Sequence, residues 1–124
     1  MKGYKYFAPV ELRCRCGKCD GGGMGDAFME KVIAIREVVG PLIVVSGFRC
    51  PTHNSNEAST GRGGPHTTGR ALDLRAAYSS VRFDIMQEAM NQGMTRFGIN
   101  RTSLHIDDLG AAEGFDENVL WHYY

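Results

Sequence analysis

The sequence predicts an α+β domain in which a mostly antiparallel sheet is flanked by about two helices. Two segments carry apolar residues at helical spacing, and several short apolar runs are typical of strands. In the second half of the chain the spacing of these runs suits hairpins better than crossovers, which favours antiparallel pairing. Because the chain has 124 residues and a mass of 13.7 kDa, we expect one domain that spans residues 1–124.

The composition excludes several classes of protein. Lys plus Arg and Asp plus Glu both number 14, and this balance argues against a protein that binds nucleic acid through its phosphates. The longest apolar run, residues 41–45, is far shorter than the roughly 20 residues that span a bilayer. The first residues also lack the pattern of a signal peptide. We therefore expect a soluble protein without a membrane span.

The Cys- and Gly-rich segment 1–25 is expected to form loops rather than regular structure. It contains Cys14, Cys16 and Cys19 in the run C-R-C-G-K-C, followed by several glycines. From Asp26 onward apolar residues recur at helical spacing, until Gly40 and a proline interrupt the pattern. We therefore predict a first helix that Asp26 caps and that ends before Gly40.

Strands, a long loop and a second helix are predicted downstream. The short β-branched run 42–46 is typical of a buried strand. Residues 50–69 are rich in Gly, Ser, Thr and Asn, which predicts a long loop with a short helical turn after Pro51. A second helix is predicted from Ser80, as its cap, to Gly93. The other predicted strands are 71–76, 95–99, 103–107 and 119–123.

One histidine and one aspartate are spaced so that their side chains can meet. His66 and Asp73 lie seven residues apart, and Gly69 between them disfavours a continuous helix. A turn that runs into a strand fits this segment better. In such a strand Leu72 and Leu74 face the core, Asp73 points to the opposite face, and the turn can bring His66 back over it.

A second histidine is offered by the run S-L-H-I-D. On a strand, Leu104 and Ile106 would face one side while His105 and Asp107 face the other. Two histidines and one carboxylate form the ligand set of many catalytic zinc sites, which keep a fourth position open. Because zinc lowers the pKa of bound water and polarises carbonyl groups, the pattern indicates metal-assisted hydrolysis.

A purely structural interpretation of the same residues stays open at this point. His66 could cap a loop, Asp73 could pair with Arg70 or Arg75, and His105 could be a core histidine with satisfied hydrogen bonds. Spacing alone does not separate this interpretation from a metal site.

Three motifs resemble a known family. They are S-G-F-R-C-P-T-H-N at 46–54, G-G-P-H-T-T-G-R-A-L-D-L at 63–74 and L-H-I-D at 104–107. They resemble the zinc D-alanyl-D-alanine carboxypeptidases of the VanX and VanY type, which include phage L-alanyl-D-glutamate endopeptidases and share their core with the hedgehog signalling domain. The resemblance extends from about residue 7 to residue 121. It implies that His66, Asp73 and His105 bind a catalytic zinc ion.

The resemblance also implies roles near the metal. Arg49 matches the arginine that steadies the substrate carbonyl or the oxyanion, although an arginine after a strand can also be merely solvated. Ser46 and Gly64 are candidate substrate-binding positions, and Gly64 stands where the family usually has Ser. His53 and Asn54 are expected to brace the long loop. His122, between two aromatic residues, is expected to form a structural edge.

The usual general base is missing from the sequence. Thr102 stands where VanX-type relatives carry a glutamate, three residues before the last metal-binding histidine. We predict Asp107 as the substitute, because it lies on the same strand face as His105 and could reach a water at the metal. The alternative role for Asp107 is to orient a ligand histidine. Less favoured bases are Glu57, Asp108 and Glu113.

The four cysteines are the least settled feature. Cys14, Cys16, Cys19 and Cys50 could hold a second, structural zinc ion, since C-G-K-C resembles a zinc knuckle. Disulfides are the alternative, although they form poorly in a reducing compartment. Free buried thiols or a redox pair of Cys16 and Cys19 are also open, but no thioredoxin-like elements surround that pair.

The resemblance leads to a functional expectation. We expect a monomeric zinc metallopeptidase that cuts an amide bond in the stem peptide of bacterial peptidoglycan, either as a carboxypeptidase or as an endopeptidase. Its small size resembles phage-encoded endolysins, so we expect it to be made in the host cytoplasm and to reach the wall after release or within a virion. The alternative is a non-catalytic, zinc-stabilised domain that binds the wall or builds a phage tail.

Overall fold

The structure, a computed structural model, describes residues 1–123 of the chain. Its helices are α1 (Pro9–Leu12), α2 (Asp26–Val39), α3 (Pro51–Glu57) and α4 (Ser79–Asn91). Its strands are β1 (Val44–Ser46), β2 (Ala71–Arg75), β3 (Arg96–Ile99), β4 (Ser103–Asp107) and β5 (Val119–His122). Two short 3-10 turns span Pro65–Thr68 and Ala111–Glu113.

The five strands form one sheet in the order β1-β2-β4-β3-β5. The pairs β1–β2, β2–β4 and β3–β4 are antiparallel, and β3–β5 is parallel. The parallel pairing of β5 follows from the path of the chain. The end of β4 lies beside the start of β3, and the connection 108–118 crosses there to the other edge of β3, so that β5 runs in the same direction as β3. The predicted α+β class with a mostly antiparallel sheet is confirmed.

The two faces of the sheet have different tasks. Alternate residues of the central strands, such as Leu72 and Ile106, join the core together with α2 residues such as Phe28 and Ile35. The helix α4 adds Ile85 to the same core. The polar residues that alternate with them along the strands point to the opposite face, and the candidate site lies on that face.

The segment 1–25 is mostly loop, as expected, but it also contains the short helix α1. Phe7 and Leu12 are almost fully buried in the core, so the segment is packed into the body of the protein. The backbone of Leu12 meets the residues after β1, since its carbonyl oxygen accepts a hydrogen bond of 2.8 Å from the amide of Phe48. The N-terminal segment therefore supports the chain that leads to Arg49.

Several predicted boundaries and one burial prediction need correction. The strand expected at 42–46 is shorter, and it lies at the sheet edge with Ile43 58% and Val45 37% exposed, so the prediction of a buried strand was wrong. Gly25 and Tyr78, rather than Asp26 and Ser80, precede the two long helices as caps. The short helical turn predicted after Pro51 is confirmed as α3. No helix among residues 1–123 is long and apolar enough to cross a lipid bilayer.

Candidate metal centre

The structure brings His66, Asp73 and His105 together. Asp73 on β2 and His105 on β4 are direct register partners, and His105 Nδ1 lies 3.0 Å from Asp73 Oδ1. His66, in the turn before β2, approaches from above with Nε2 at 3.3 Å from Asp73 Oδ2. One potential ligand atom from each residue lies within 4.8 Å of the others, and all three side chains are buried.

The turn between His66 and Asp73 depends on a glycine. Gly69 ends the 3-10 turn with a φ of 75°, in the left-handed region that other residues rarely adopt. A Cβ at Gly69 would also collide with the carbonyl oxygen of Gly23. This reversal returns the chain to β2 directly under His66, as the spacing of the two residues predicted.

Hydrogen bonds fix which ring nitrogen of each histidine faces the centre. His66 Nδ1 donates to the carbonyl oxygen of Gly47 at 2.7 Å, because a carbonyl can only accept, and this leaves Nε2 turned toward Asp73. His105 Nε2 donates to Asp107 Oδ2 at 2.7 Å, and Nδ1 faces Asp73. Carbonyl and carboxylate partners of this kind orient metal-binding histidines and raise their basicity.

The two alternatives for Asp107 differ in what its oxygens contact. Asp107 is fully buried and accepts hydrogen bonds from His105, from Arg96 Nε at 2.9 and 3.2 Å, and from the backbone amide of Leu109 at 3.1 Å. It lies beyond the ring of His105, on the side away from Asp73. These contacts favour the orienting role over the predicted role as general base.

Ionisation of the cluster follows from the same contacts. Burial opposes the charge of Asp73, but hydrogen bonds and opposite charge from His105 and His66 outweigh it and lower the pKa of that carboxyl well below its usual range. Burial likewise opposes the charge of His105, and its hydrogen bonds with Asp107 and Asp73 raise its pKa above the usual value. The centre thus stabilises a carboxylate that is ready to bind a cation.

Arg49 points into the centre and is held there by neutral side chains. Its Nη2 lies 3.5 Å from Asp73 Oδ2, its Nε donates to Ser46 Oγ at 3.2 Å, and its Nη1 donates to Asn54 Oδ1 at 3.2 Å. Asn54 is buried and also donates to Thr60 Oγ1 at 2.8 Å and to the carbonyl of Gly61. The expectation that Asn54 braces the long loop is confirmed, and Ser46 contacts Arg49.

The absence of a side chain at Gly64 has a steric reason. A Cβ there would collide with the hydroxyl of Thr60, which Asn54 holds in place. The carbonyl oxygen of Gly64 accepts hydrogen bonds from the amide and the hydroxyl of Thr67. Thr60 therefore fills the space that a serine side chain at position 64 would need.

The other candidate bases have different surroundings. The side chain of Asp108 is only 5% exposed and is paired with Arg70 at 2.7 Å and with Lys31 at 3.0 Å. Glu113 accepts from the amide of Gly110 at 2.9 Å. Thr102 is exposed in the turn between β3 and β4. Glu57 is exposed at the end of α3.

The pairing of Asp73 with Arg70 or Arg75, which the structural interpretation required, is replaced by the contact of Asp73 with Arg49.

Sequence reasoning missed two aromatic residues and one arginine at the site. The hydroxyl of Tyr123 donates to Asp73 Oδ1 at 3.3 Å, and burial together with the charge of Asp73 raises the pKa of Tyr123 to about 12. The ring of Trp121 packs against His105 at a centroid distance of 5.4 Å. Arg96, buried beside Asp107, completes the support of His105. All three depend on the pairing of β3 with β4 or with β5, which no local sequence pattern specifies.

The four cysteines also converge, away from the histidines. Their sulfur atoms lie within 4.8 Å of one another, and all four are free thiols rather than disulfides. Cys14, Cys16 and Cys19 come from the loop after α1, and Cys50 caps the start of α3. The chain therefore presents two separate groups of potential metal ligands among its described residues.

The fold and the first of these groups define a class, namely α+β proteins with a buried His-Asp-His centre suited to a metal-dependent hydrolase. The chain belongs to the peptidase M15 family, because the sequence model of this family matches residues 5–107. This family is zinc-dependent, so membership points to a metallopeptidase. No curated protein and no solved structure matches the chain significantly. The matched range includes all three residues of the centre, Arg49 and the four cysteines.

Proposed function

We propose that the chain is a zinc peptidase that hydrolyses an amide bond in the stem peptide of bacterial peptidoglycan, with His66, Asp73 and His105 as the metal ligands. The observation that carries the proposal is the convergence of three ligand atoms within 4.8 Å in a buried centre. The donor set suits zinc, since two imidazoles and one carboxylate leave a position open. The substrate class rests on the family resemblance of the motifs.

When bound, zinc would supply Lewis-acid polarisation of the carbonyl group and activation of water. The residues around it would bind and orient. Arg49, anchored by Ser46 and Asn54, offers a guanidinium that can hold a substrate carboxylate or stabilise negative charge developing on the carbonyl oxygen. Tyr123 keeps its proton at neutral pH, because its pKa is about 12, and can donate a hydrogen bond at the same centre.

We propose Asp107 as a positioning residue. Its oxygens are engaged by His105, Arg96 and the amide of Leu109, so it holds the ring of His105 with Nδ1 toward the centre. Arg96 in turn holds Asp107 and packs over the ring of Trp121 at 5.2 Å. This chain of contacts would fix the third ligand in a single orientation.

A second candidate function follows from the missing base. Thr102 occupies the position of the family glutamate and is exposed, and Asp107 is fully engaged. A non-catalytic, zinc-stabilised domain that binds the wall or builds a phage tail would need no base. We propose this function as the alternative to the enzyme.

The biological setting is part of the proposal. The motifs resemble a family of peptidoglycan peptidases, so the partner would be bacterial peptidoglycan. The small size and the Cys-rich N-terminus resemble phage-encoded members, so the protein would reach the wall after release from the host cytoplasm or as part of a virion. We expect the protein to act as a monomer.

Digestion of peptidoglycan tests the proposal. Zinc-loaded protein should release defined fragments from at least one wall type, and His66→Ala should abolish release while the protein stays folded. The masses of the fragments identify the bond and separate a carboxypeptidase from an endopeptidase. If the protein sediments with peptidoglycan but cuts none of a panel of wall types at several pH values, the enzyme is excluded and the binding domain is supported.

A further inference from the structure

We propose that Cys14, Cys16, Cys19 and Cys50 form a second metal site, a closed four-thiolate zinc site with a structural role. All four sulfur atoms lie within 4.8 Å of one another, and those of Cys16 and Cys50 are 3.9 Å apart. In a tetrahedral site with zinc–sulfur bonds of about 2.3 Å, neighbouring sulfurs are separated by about 3.8 Å. The cluster therefore needs only small adjustments to enclose the ion.

Each sulfur atom accepts a hydrogen bond from one backbone amide. The amide of Cys50 donates to Cys14 at 3.3 Å, and that of His53 donates to Cys50 at 3.4 Å. Within the loop, the amide of Lys18 donates to Cys16 and that of Gly21 to Cys19, both at 3.3 Å. Neutral thiols are weak acceptors, whereas thiolates bound to a metal are stabilised by such donors. Each of the four sulfur atoms thus has an amide donor that would stabilise it as a metal-bound thiolate.

The loop that carries three of the cysteines has a backbone turn and basic side chains that suit a metal site. Gly17, with a φ of 71°, reverses the chain between Cys16 and Cys19. Arg15 and Lys18 line a surface pocket together with Cys16, Cys19 and Cys50. Since four thiolates and one Zn²⁺ carry a net charge of about −2, two adjacent basic side chains balance the site.

Disulfides account less well for the same geometry. A pair of disulfides would need two short contacts, with no requirement for the remaining sulfur atoms to be close. Here every sulfur lies near the three others, and the chain positions them from two separate segments. The convergence of all four sulfur atoms is what the coordination of a single shared metal ion requires.

The site would tie the N-terminal loop to the residue that follows Arg49. Cys50 is both a ligand of the cluster and the cap of α3, which carries Asn54, the partner of Arg49. This consequence for Arg49 rests on the proposed function, whereas the metal site itself does not. Removal of this metal should increase amide exchange in residues 47–54 more than in β2 and β4.

Metal analysis of the purified chain tests the proposal. We expect about two zinc ions per chain in the wild type and about one in both His66→Ala and the double variant Cys16→Ser/Cys19→Ser. Cobalt-substituted wild type and His66→Ala should show intense thiolate-to-cobalt absorption, and the double variant should lose it. If the double variant retains the metal content of the wild type, the second site does not exist. If His66→Ala retains the metal content of the wild type while the double variant loses one ion, the cysteine site stands and the proposed catalytic centre fails.

Two measurements on the wild type remain decisive even where the double variant does not fold. Cobalt-loaded wild type without thiolate-to-cobalt absorption would overturn the site. Thiol titration of protein unfolded in chelator without reductant should find all four cysteines reactive. Fewer reactive thiols would reveal a disulfide and would overturn the site as well.

Discussion

His105 is the residue on which the candidate centre depends most. Its two ring nitrogens face two different carboxylates, Asp73 at 3.0 Å and Asp107 at 2.7 Å, and only the first belongs to the group of converging ligands. A histidine held on one side by a carboxylate presents its other nitrogen in a fixed direction. In the proposed site, the geometry of the third ligand would therefore be determined by a residue that does not itself bind the metal.

Replacement of Asp107 by asparagine separates its two conceivable roles. As a positioning residue, Asp107→Asn should weaken zinc binding by about 10–100-fold, because the ligand histidine loses its charged partner. Competition with a chromogenic chelator measures this affinity, and Asp108→Asn, which alters a buried carboxylate paired with Lys31 and Arg70, is the control. Unchanged zinc affinity with activity lost at saturating zinc would instead identify Asp107 as a base.

The metal-free protein should lose stability as the pH rises. The pKa of His105 is raised in the folded state, so its protonated form stabilises the fold below about pH 6.5, and this contribution is lost as the pH rises through the folded-state pKa. Thermal unfolding in chelator from pH 6 to 9 measures the effect. Zinc should oppose it, because binding requires a neutral imidazole and strengthens with pH. Stability that rises with pH in chelator would contradict this account of His105.

Alternation along a strand correctly predicted that Asp73 and His105 each lie on the face of their strand that is turned away from the core. Such a pattern fixes the face of a residue but not its contacts across the sheet. For this reason Tyr123 and Arg96 were missed, and Asp107 was predicted as a base although its oxygens are engaged. Asp107, the partner of Arg96, lies 11 residues away along the chain, and Asp73, the partner of Tyr123, lies 50 residues away.

At the scale of elements, a close approach between α1 and the end of β1 orients His66. Gly47 offers its carbonyl oxygen to His66 Nδ1, and its α-carbon lies directly against the backbone of Leu12. A side chain at position 47 would collide with the carbonyl oxygen of Leu12. The contact shows why a glycine stands between β1 and Arg49.

Gly47→Ala should therefore destabilise the fold and disturb the centre. We expect a loss of about 1–3 kcal/mol in the free energy of unfolding, typical of overpacking, together with weaker zinc binding. Urea unfolding and zinc titration measure the two effects. Gly63→Ala is the matched control, since a Cβ there meets nothing within 4 Å. Equal stabilities of the two variants would refute the steric role of Gly47.

Among the elements, both long helices and the short α3 were predictable from apolar spacing and from the proline at its start. The position of β1 at the exposed edge of the sheet was not predictable, because a β-branched run looks the same in a central strand as at an edge. The parallel pairing of β5 also escaped prediction, since it depends on where the connection 108–118 crosses the sheet.

At the scale of the whole molecule, the N-terminal segment and the sheet share one core. Phe7 is 2% exposed and packs in the same cluster as residues of α2 and of the central strands. The composition of residues 1–25 concealed this contribution, because glycines and cysteines dominate it. We expect the segment to be an integral part of a single domain.

Phe7→Ala tests whether the segment belongs to the domain. Loss of a fully buried phenylalanine should reduce the free energy of unfolding by about 3–5 kcal/mol. Val10→Ala is the control, since Val10 lies on α1 but is 71% exposed, and its effect should be small. A single cooperative transition for both variants is expected, whereas a separate early transition of the wild type would indicate an independent N-terminal unit.

The most direct test of the central claim is the rate at which chelator-treated protein hydrolyses a purified stem peptide as zinc is added back. The account predicts no hydrolysis without metal, a rate that rises until the His66, Asp73 and His105 centre is filled, and no recovery in His66→Ala at any zinc concentration up to saturation of the wild type. Full activity of the metal-free protein, or recovery of the His66→Ala variant to the wild-type rate, would contradict it.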